Sequence, residues 1–319
     1  MKALTFTKFG TSDVLEYIDI EKPKISDKEV LVKMEAIGLN YDDIYRRKGN
    51  YHLKGNPPFI AGYEGAGIVV ESKSTMAKAG DRIAFADVPF ANAELVSVPQ
   101  EHIIPLSDNI SFDLAASVLL QGLTAQYLSE DSFKVKKNDV VLIHAAAGGV
   151  GQILTQICKM KGAKVIGLTR DESKLQVIQN NKADFALQLN SEWTQNVMEI
   201  TNEKGVDVVF DSVGSTLMQS FEVTKECGTV VFYGMSGGDP ALINPRMLMD
   251  TSKTLTGGDL WSYINSHQER IKRSKRLFNW IADGKITIQK PKKFLLADGK
   301  KAHQYLEGGK SSSKVLLIP

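Results

Sequence analysis

The chain has 319 residues, enough for two domains that each bury a substantial core. With 43% hydrophobic and 24% charged residues, its composition excludes a disordered chain and a fibrous repeat. The 39 basic and 37 acidic side chains leave a net charge of +2, which gives no reason to expect a nucleic-acid partner.

The first third of the chain is predicted to be rich in strands. Residues 1–6 alternate in the manner of a strand and carry no apolar signal segment. Alternating or apolar runs follow at 31–37, 67–70 and 93–98, and Gly, Pro and Asp residues separate them. Residues 113–129 then change to a helical period.

Apolar runs alternate with helical segments through the middle of the chain. The pattern predicts strands at 139–144, 164–168, 184–187, 206–210 and 228–233, with a weaker strand at 253–256. Short strand–helix–strand spacing predicts a doubly wound α/β fold with a parallel sheet and right-handed crossovers.

The C-terminal part of the chain begins with a basic amphipathic helix, which we interpret as a solvated face. Two apolar runs, 286–288 and 315–318, are predicted as strands. A terminal strand without a helix partner most simply returns to the first domain. We therefore predict a discontinuous catalytic domain, residues 1–121 plus 261–319, with a dinucleotide-binding domain, residues 122–260, inserted in it.

The best-defined motif is the glycine turn after the first of the mid-chain strands. Residues 140–151 read VVLIHAAAGGVG, and apolar residues at helical spacing follow. At such a turn the absence of Cβ atoms lets the backbone approach a ligand, and the N–H groups of the new helix bind pyrophosphate. Ala146 takes the place of the first glycine of G-x-G-x-x-G, so the motif alone leaves open a small-residue turn without a ligand.

The segment after the next strand indicates which dinucleotide is bound. An NAD-binding unit places a carboxylate there to hold the ribose hydroxyls. This chain has Thr169 and Arg170 instead, with Lys174 one helical turn later, and both cations suit the 2′-phosphate of NADP. The alternative is that Asp171 caps the next helix while Arg170 points to solvent. We favour NADP.

Cysteine usage and hydropathy bear on where the protein works. Cys158 and Cys227 are far apart in the sequence, and two cysteines do not form a disulfide framework, so a reducing compartment fits best. No apolar run approaches the length that spans a bilayer. We therefore predict a soluble, cytoplasmic protein with no membrane partner.

Several sequence blocks match one known family. They are NYDDIYR at 40–46, GYEGAG at 62–67, QGLTA at 121–125, HAAAGGVG at 144–151, and AHQYLE at 302–307 followed by SKV. The blocks occur in the family's order and span nearly the whole chain. The sequence resembles the zeta-crystallin type of NADPH:quinone oxidoreductase, in the medium-chain dehydrogenase/reductase (MDR) superfamily.

The resemblance implies a GroES-like, β-rich catalytic domain together with a Rossmann domain, NADPH as the cofactor, a small-molecule quinone as the substrate, and a homodimer. A tyrosine that often stacks near the adenine in the family falls at Leu189 here, which departs from the family's pattern. Transferred residue by residue, the resemblance implies NADPH contacts at Thr124, Phe133, Ala147, Gly148, Gly149, Val150, Thr169, Arg170, Lys174, Tyr233, Gly234 and Ser236.

Zinc-dependent alcohol dehydrogenases of the same superfamily are the first alternative. A catalytic zinc needs about three Cys, His or carboxylate ligands. Residues 1–121 contain no cysteine, and Tyr63 stands where the zinc enzymes have a ligating histidine. We therefore predict no metal site.

Hydride transfer without a metal suits quinones and α,β-unsaturated carbonyls, because negative charge delocalises as the hydride arrives. The resemblance implies that Asn40 and Tyr45 line the cleft near the nicotinamide. It also implies that Tyr45 donates a hydrogen bond to the developing oxyanion and that Arg46 helps electrostatically. The alternative for Tyr45 is an aromatic side chain packed on Tyr41, one helical turn earlier.

Two other functions stay open from the sequence. An enone, alkenal or enoyl-thioester reductase of the same superfamily would share the cofactor half and differ only in the substrate pocket. A nucleotide-binding, RNA-binding or structural protein is the alternative that is not an enzyme, and the near-neutral charge argues against it. The sequence favours NADPH-dependent reduction of quinones.

Overall fold

The computed structural model describes residues 1–319, and the chain forms two compact units. The chain leaves unit 1, completes most of unit 2 and then returns. No helix in the structure is both long enough and apolar enough to cross a membrane. Unit 1 comprises Met1–Leu120, Ile264–Leu277 and Gln289–Pro319, and unit 2 comprises Gln121–Tyr263 and Phe278–Ile288.

Strands and α-helices alternate along much of the chain. The strands are β1 (Lys2–Phe6), β2 (Glu16–Asp19), β3 (Glu29–Leu39), β4 (Phe59–Ile60), β5 (Gly65–Ser72), β6 (Arg82–Phe85), β7 (Leu95–Pro99), β8 (Ile104–Pro105), β9 (Val140–Ile143), β10 (Lys164–Thr169), β11 (Phe185–Gln188), β12 (Val206–Asp211), β13 (Thr224–Phe232), β14 (Thr254–Gly257), β15 (Lys292–Leu295) and β16 (Val315–Ile318). The α-helices are α1 (Tyr41–Lys48), α2 (Phe112–Tyr127), α3 (Gly149–Met160), α4 (Leu175–Asn180), α5 (Trp193–Ile200), α6 (Leu217–Glu222), α7 (Pro245–Thr251), α8 (Leu260–Tyr263), α9 (His267–Ala282) and α10 (Gly299–Glu307).

Unit 1 is rich in strands and is built around the long strand β3, which pairs antiparallel with β5, β7 and β16. The terminal strand β16 returns to β3 as the sequence predicts, with Val315 opposite Leu39. Buried apolar side chains, among them Phe6, Ile37 and Phe85, form one core. Burial of each such side chain stabilises the fold by about 1.5–3 kcal/mol.

Helix α1 and the residue before it carry the predicted catalytic side chains, and the helix is capped at both ends. At its start the backbone N–H of Asn40 donates to Asp43 Oδ2 at 2.9 Å, as in a capping box. At its end Gly49 adopts the left-handed conformation, with φ +81°, and donates its N–H to the Arg46 carbonyl at 3.0 Å. These caps define the two ends of the eight-residue helix, which lies between β3 and β4 in the sequence.

The strand predicted at 286–288 is wrong. The segment packs within unit 2, where Gln156 Oε1 accepts from the Thr287 N–H at 2.8 Å and Gln156 Nε2 donates to the Thr287 carbonyl at 3.1 Å. Because one side chain satisfies both backbone groups, they are not available for a strand ladder. The strand in this part of the chain is β15, which lies parallel to β16.

Unit 2 contains a six-stranded sheet in the order β11-β10-β9-β12-β13-β14, with every neighbouring pair parallel. The mid-chain strands predicted from the apolar runs are all present, including the weaker one, β14. The strand order reverses between β9 and β12, so the loops after these two strands diverge and leave a crevice at their carboxyl ends. The predicted doubly wound α/β architecture is confirmed.

Candidate active site

The glycine turn of unit 2 leads from β9 into α3 at this crevice. The N-cap position of α3 is Gly148, which has no side chain with which to cap the helix. The N–H groups of the first helical turn have no acceptor within the helix, and the helix dipole adds positive charge at this end. The turn is therefore built to receive an anionic group such as a pyrophosphate.

The glycines of this turn serve two different purposes. A Cβ on Gly151 would lie 2.4 Å from the Ala145 carbonyl oxygen, and a Cβ on Gly149 would lie 2.2 Å from the Gln121 side chain. The backbone clash requires glycine at position 151, whereas a Cβ at position 149 would displace the end of the Gln121 side chain. The nearest atom to a Cβ on Gly148 would be the Ala145 oxygen at 3.1 Å, so that position is only mildly crowded.

Ala146, which replaces the first glycine of the motif, is accommodated by a glycine elsewhere. Its N–H donates to the Leu168 carbonyl at 2.8 Å, and its side chain is buried against β10. A Cβ on Gly167 of β10 would approach Ala146 Cβ to 2.9 Å. The space that the motif gains from its first glycine is thus supplied here by Gly167.

The loop after β10 carries Thr169, Arg170 and Lys174. Arg170 is exposed and Lys174 is partly buried; burial lowers the pKa of Lys174, Asp171 raises it, and the neighbouring charge of Arg170 lowers it again. Two cations therefore lie close enough to repel each other, and a dianionic phosphate between them would relieve that repulsion.

Asp171 lies between these cations in the sequence, yet its carboxylate turns toward the following helix. Its Oδ1 accepts from the Ser173 N–H at 3.0 Å and from the Ser173 hydroxyl at 2.7 Å, and these bonds lower its pKa. Asp171 is thus a helix cap, as the alternative interpretation of this segment supposed. The capping does not remove Arg170 and Lys174 from the loop that would meet the 2′-phosphate.

The loop after β13, on the other side of the reversal in strand order, carries Tyr233, Gly234 and Ser236. The Tyr233 N–H donates to the Asp211 carbonyl at 2.9 Å. The N–H and hydroxyl of Ser236 both donate to the Ser212 carbonyl at 3.0 Å. Burial raises the pKa of Tyr233, against the effect of its hydrogen bond to Ser212, so the phenol stays neutral.

The two remaining predicted cofactor residues lie before the sheet. Thr124 is on α2 and is almost fully buried. Phe133 is partly buried and directly follows a short π-helical turn, Leu128–Ser132. Leu189, at the position of the family's tyrosine, packs on the apolar core of unit 2. The structure thus brings ten predicted residues to the ends of β9, β10 and β13 and places two on α2 and its extension.

In unit 1 the Asn40 side chain belongs to a buried ionic network. Its Nδ2 donates to Glu64 Oε2 at 2.8 Å, and its Oδ1 accepts from Lys314 Nζ at 2.6 Å. Lys314 also donates to the same Glu64 oxygen at 2.6 Å, and Glu64 is fully buried. The sequence blocks contained Glu64 and Lys314 without indicating that residues 250 positions apart would pair.

The Arg46 side chain is fully buried and holds several groups at once. Its Nη1 lies 2.6 Å from Asp42 Oδ2 and 3.5 Å from Asp43 Oδ1, and its guanidinium carbon lies 3.6 Å from the centre of the Tyr63 ring. Burial raises the pKa of Asp43 to about 7, helped by the charge of Asp42 and opposed by Arg46. A guanidinium held in this way is a fixed, internal charge.

Tyr45 is only half-buried and packs between two other tyrosines. Its ring centre lies 5.3 Å from that of Tyr41 and 6.3 Å from that of Tyr51, with edge-to-face geometry in both pairs. Such contacts orient an aromatic ring. The packing alternative for Tyr45 therefore describes its ring and leaves its role as a hydrogen-bond donor to be tested.

No group of three or more His, Cys, Asp or Glu side chains is placed to hold a metal ion. Tyr63, at the position of a zinc ligand in the alcohol dehydrogenases, lies against the guanidinium of Arg46.

Comparisons with known proteins identify relatives along the whole chain. Residues 26–134 match the alcohol dehydrogenase GroES-like domain, and residues 149–276 match the family described as zinc-binding dehydrogenase. A quinone oxidoreductase of Pseudomonas aeruginosa is 34% identical, over 100% of this chain and 99% of the relative. A 2-haloacrylate reductase of a Burkholderia species is 31% identical, over 99% of this chain and 98% of the relative.

Solved structures extend the similarity to three dimensions. A crystal structure of Escherichia coli quinone oxidoreductase complexed with NADPH matches with a TM-score of 0.96 and 33% sequence identity. The match covers 100% of both chains.

Proposed function

Because the chain belongs to the quinone oxidoreductase family of the MDR superfamily, we propose that it transfers a hydride from NADPH to small-molecule quinones. The observation that carries this proposal is the phosphate-binding turn of α3 with Arg170 and Lys174 at the neighbouring strand end. A relative crystallised with NADPH matches the chain along its full length, which supports the choice of cofactor.

In this proposal unit 2 binds the cofactor. NADPH, when bound, supplies the hydride. The N–H groups of the α3 turn bind the pyrophosphate, the loop after β10 binds the 2′-phosphate, and the loop after β13 orients the nicotinamide half. The residues assigned to these roles are Ala147, Gly148, Gly149, Val150, Thr169, Arg170, Lys174, Tyr233, Gly234 and Ser236. Thr124 and Phe133 are further proposed contacts to the cofactor.

Unit 1 contributes the groups that act on the substrate. Tyr45 donates a hydrogen bond from its phenol to the quinone oxygen on which negative charge develops. Asn40 and Arg46 act through position: Asn40 is held by Glu64 and Lys314, and Arg46 adds a fixed positive charge beneath the tyrosines. A quinone needs little further help, because its ring delocalises the arriving charge.

A second candidate function is reduction of an activated alkene. The similarity to a 2-haloacrylate reductase over almost the whole chain favours it. The test is NADPH oxidation by the purified, chelator-treated protein with a simple quinone and, separately, a simple enone. Turnover with the quinone supports the first proposal, and turnover confined to the enone replaces it with the second.

The proposal includes a homodimer in the cytoplasm and no nucleic-acid partner. Strand β14 is the last strand of its sheet, and the segment before α7 exposes Leu242 to 98% and α7 itself exposes Met249 to 70%. A second copy on this edge would cover these apolar side chains. Light scattering that reports a monomer would contradict the dimer.

Two unpaired cysteines, Cys158 and Cys227, fit a reducing compartment.

A further inference from the structure

A fully buried carboxylate, Asp211, lies at the carboxyl end of β12, and the catalytic proposal gives it no role. Its Oδ1 accepts from the N–H groups of Val213 at 2.8 Å and Gly214 at 3.0 Å. Its Oδ2 accepts from the hydroxyls of Thr216 at 2.8 Å and Ser220 at 2.7 Å. Four donors thus converge on one side chain that has no access to solvent.

His144, the first residue after β9, extends this cluster beneath the glycine turn. His144 Nε2 lies 3.0 Å from Ser220 Oγ, and the imidazole is fully buried. The Ser220 hydroxyl has one proton, which the 2.7 Å contact commits to Asp211, so His144 donates its Nε2–H to Ser220. The protons therefore point from His144 through Ser220 to Asp211. Burial lowers the pKa of His144, in keeping with a neutral imidazole.

The backbone that Asp211 fixes is the backbone that holds the loop after β13. The Asp211 carbonyl accepts from the Tyr233 N–H, and the Ser212 carbonyl accepts twice from Ser236. The Val213 carbonyl accepts from the N–H of Gly237 at 2.9 Å. Each of three successive carbonyls therefore anchors one point of that loop, and the Asp211 side chain sets the turn in which they lie.

The turn tolerates little movement. Gly214 has φ +83°, and a Cβ at that position would lie 2.3 Å from the Gly238 carbonyl oxygen. Loss of the two N–H bonds from Val213 and Gly214 to Asp211 would free this turn to relax, and the carbonyls of residues 211–213 would move with it. The loop that carries Tyr233 and Ser236 would then lose its fixed position, because its hydrogen-bond acceptors would have moved.

We infer that Asp211, with Ser220 and His144 behind it, is a positioning residue for the nicotinamide half of the bound cofactor. The inference rests on the proposed function, since it assigns the loop after β13 to that half. Arg170 and Lys174 follow β10, which the strand order separates from β12 by β9. A change at Asp211 therefore alters one half of the cofactor site and leaves the other half intact.

The test separates the two halves by ligand. Asp211→Asn keeps the size of the side chain, removes its charge and replaces one acceptor oxygen by a donor. Binding of NADPH and of 2′-phospho-ADP-ribose, which lacks the nicotinamide, is measured by calorimetry. We expect Asp211→Asn to weaken NADPH at least tenfold and to change 2′-phospho-ADP-ribose less than twofold. Equal weakening of both ligands, or no change in either, would overturn the inference.

Two further variants keep the test informative. Asp207→Asn removes a carboxylate at the other end of the same strand, where Asp207 Oδ2 accepts from the Val140 N–H at 2.7 Å. This variant is expected to lower stability and to leave the affinities for NADPH and for 2′-phospho-ADP-ribose unchanged. Ser220→Ala, which keeps the Asp211 charge, is expected to weaken NADPH severalfold with the same selectivity, and it decides the case should Asp211→Asn fail to fold. A wild-type protein that binds neither ligand would overturn the proposed function as well.

Discussion

Unit 1 and unit 2 place their positive charges in opposite ways. In unit 2, Arg170 is exposed and Lys174 is only partly buried, at the edge of a crevice. In unit 1, Arg46, Arg47 and Lys314 are almost fully buried, each against a carboxylate. The difference teaches that charge in this protein has two uses. In the proposed function, the cations at the crevice edge bind an anion, whereas the buried pairs hold side chains in one geometry.

The largest expected effect follows from breaking a buried pair in unit 1. Lys314→Ala leaves the Glu64 carboxylate buried without its cation, so the free energy of unfolding should fall by about 3–5 kcal/mol. Urea denaturation measures this change. The double variant Lys314→Met with Glu64→Gln should recover most of the loss, because no charge is then buried alone. A loss below about 1 kcal/mol for Lys314→Ala, the value of a surface pair, would contradict the account.

The corresponding change in unit 2 should affect binding and leave stability nearly unchanged. Lys174→Glu places a negative charge beside the 2′-phosphate, and loss of a hydrogen bond to a charged group costs about 1.5–3 kcal/mol. NADPH binding should therefore weaken roughly 10- to 150-fold, whereas NADH binding stays within about twofold. Fluorescence titration with both cofactors checks this, with Lys164→Glu at the opposite end of β10 as the control. Equal losses of affinity for both cofactors would contradict the assignment of Lys174 to the 2′-phosphate.

Tyr45 tests whether the tyrosines of unit 1 act chemically or only pack. Tyr45→Phe removes the phenol hydroxyl and keeps the ring against Tyr41 and Tyr51. If the hydroxyl donates to the developing oxyanion, kcat for a quinone should fall about 10- to 100-fold while the KM for NADPH stays unchanged. Tyr41→Phe, in the same ring pair, is the matched control. An unaltered kcat in Tyr45→Phe would show that the side chain only packs and that its hydroxyl has no part in the reaction.

The last expected effect concerns the pH dependence of the buried charges. His303 is fully buried beside Arg47; burial and then the Arg47 charge lower its pKa to about 3. The unfolded chain therefore binds a proton between about pH 6.5 and 3 that the folded chain does not. The stability due to neutral His303 is present above pH 6.5 and is lost as the pH falls through that window, by up to about 1.4 kcal/mol per pH unit.

Asp43 has the opposite effect over an overlapping range, since its raised pKa favours the folded state at low pH. The measurement is therefore a difference between variants. His303→Gln retains an acceptor for Arg47 and does not titrate, so its stability should fall less than that of the wild type between pH 6.5 and 4. His267→Gln, at a histidine that is only partly buried, is the matched control. If the free energy of unfolding has the same pH dependence in His303→Gln and in the wild type, the lowered pKa of His303 is contradicted.

Local patterns were sufficient for the parallel sheet of unit 2 and insufficient for contacts between distant parts of the chain. The parallel strands, the glycine turn and the cations after β10 could be predicted, because each depends on residues within about one βαβ unit. The run at 286–288 was mistaken for a strand because its partner, Gln156, is 131 positions away. The pairs that fix Asn40 and Arg47 likewise depend on Lys314 and His303, at the far end of the chain.

The Asp211 cluster shows the same limit within unit 2. His144 follows β9, Asp211 is the last residue of β12 and Ser220 lies on α6, and no sequence spacing joins them. The strand-end Asp211 with Gly214 three residues later indicates a tight turn after β12. Its meaning depended on which loop the turn would support, and that is decided by the order of strands in the sheet.

The most direct test is the ratio of kcat/KM for NADPH to that for NADH, measured with one quinone and the chelator-treated protein. If the cations at the end of β10 bind the 2′-phosphate while the buried charges of unit 1 only hold geometry, this ratio should be roughly 10–150, the value of one hydrogen bond to a charged group. A ratio near one, with turnover present, would contradict the account, because the exposed cations would then have no part in choosing the cofactor.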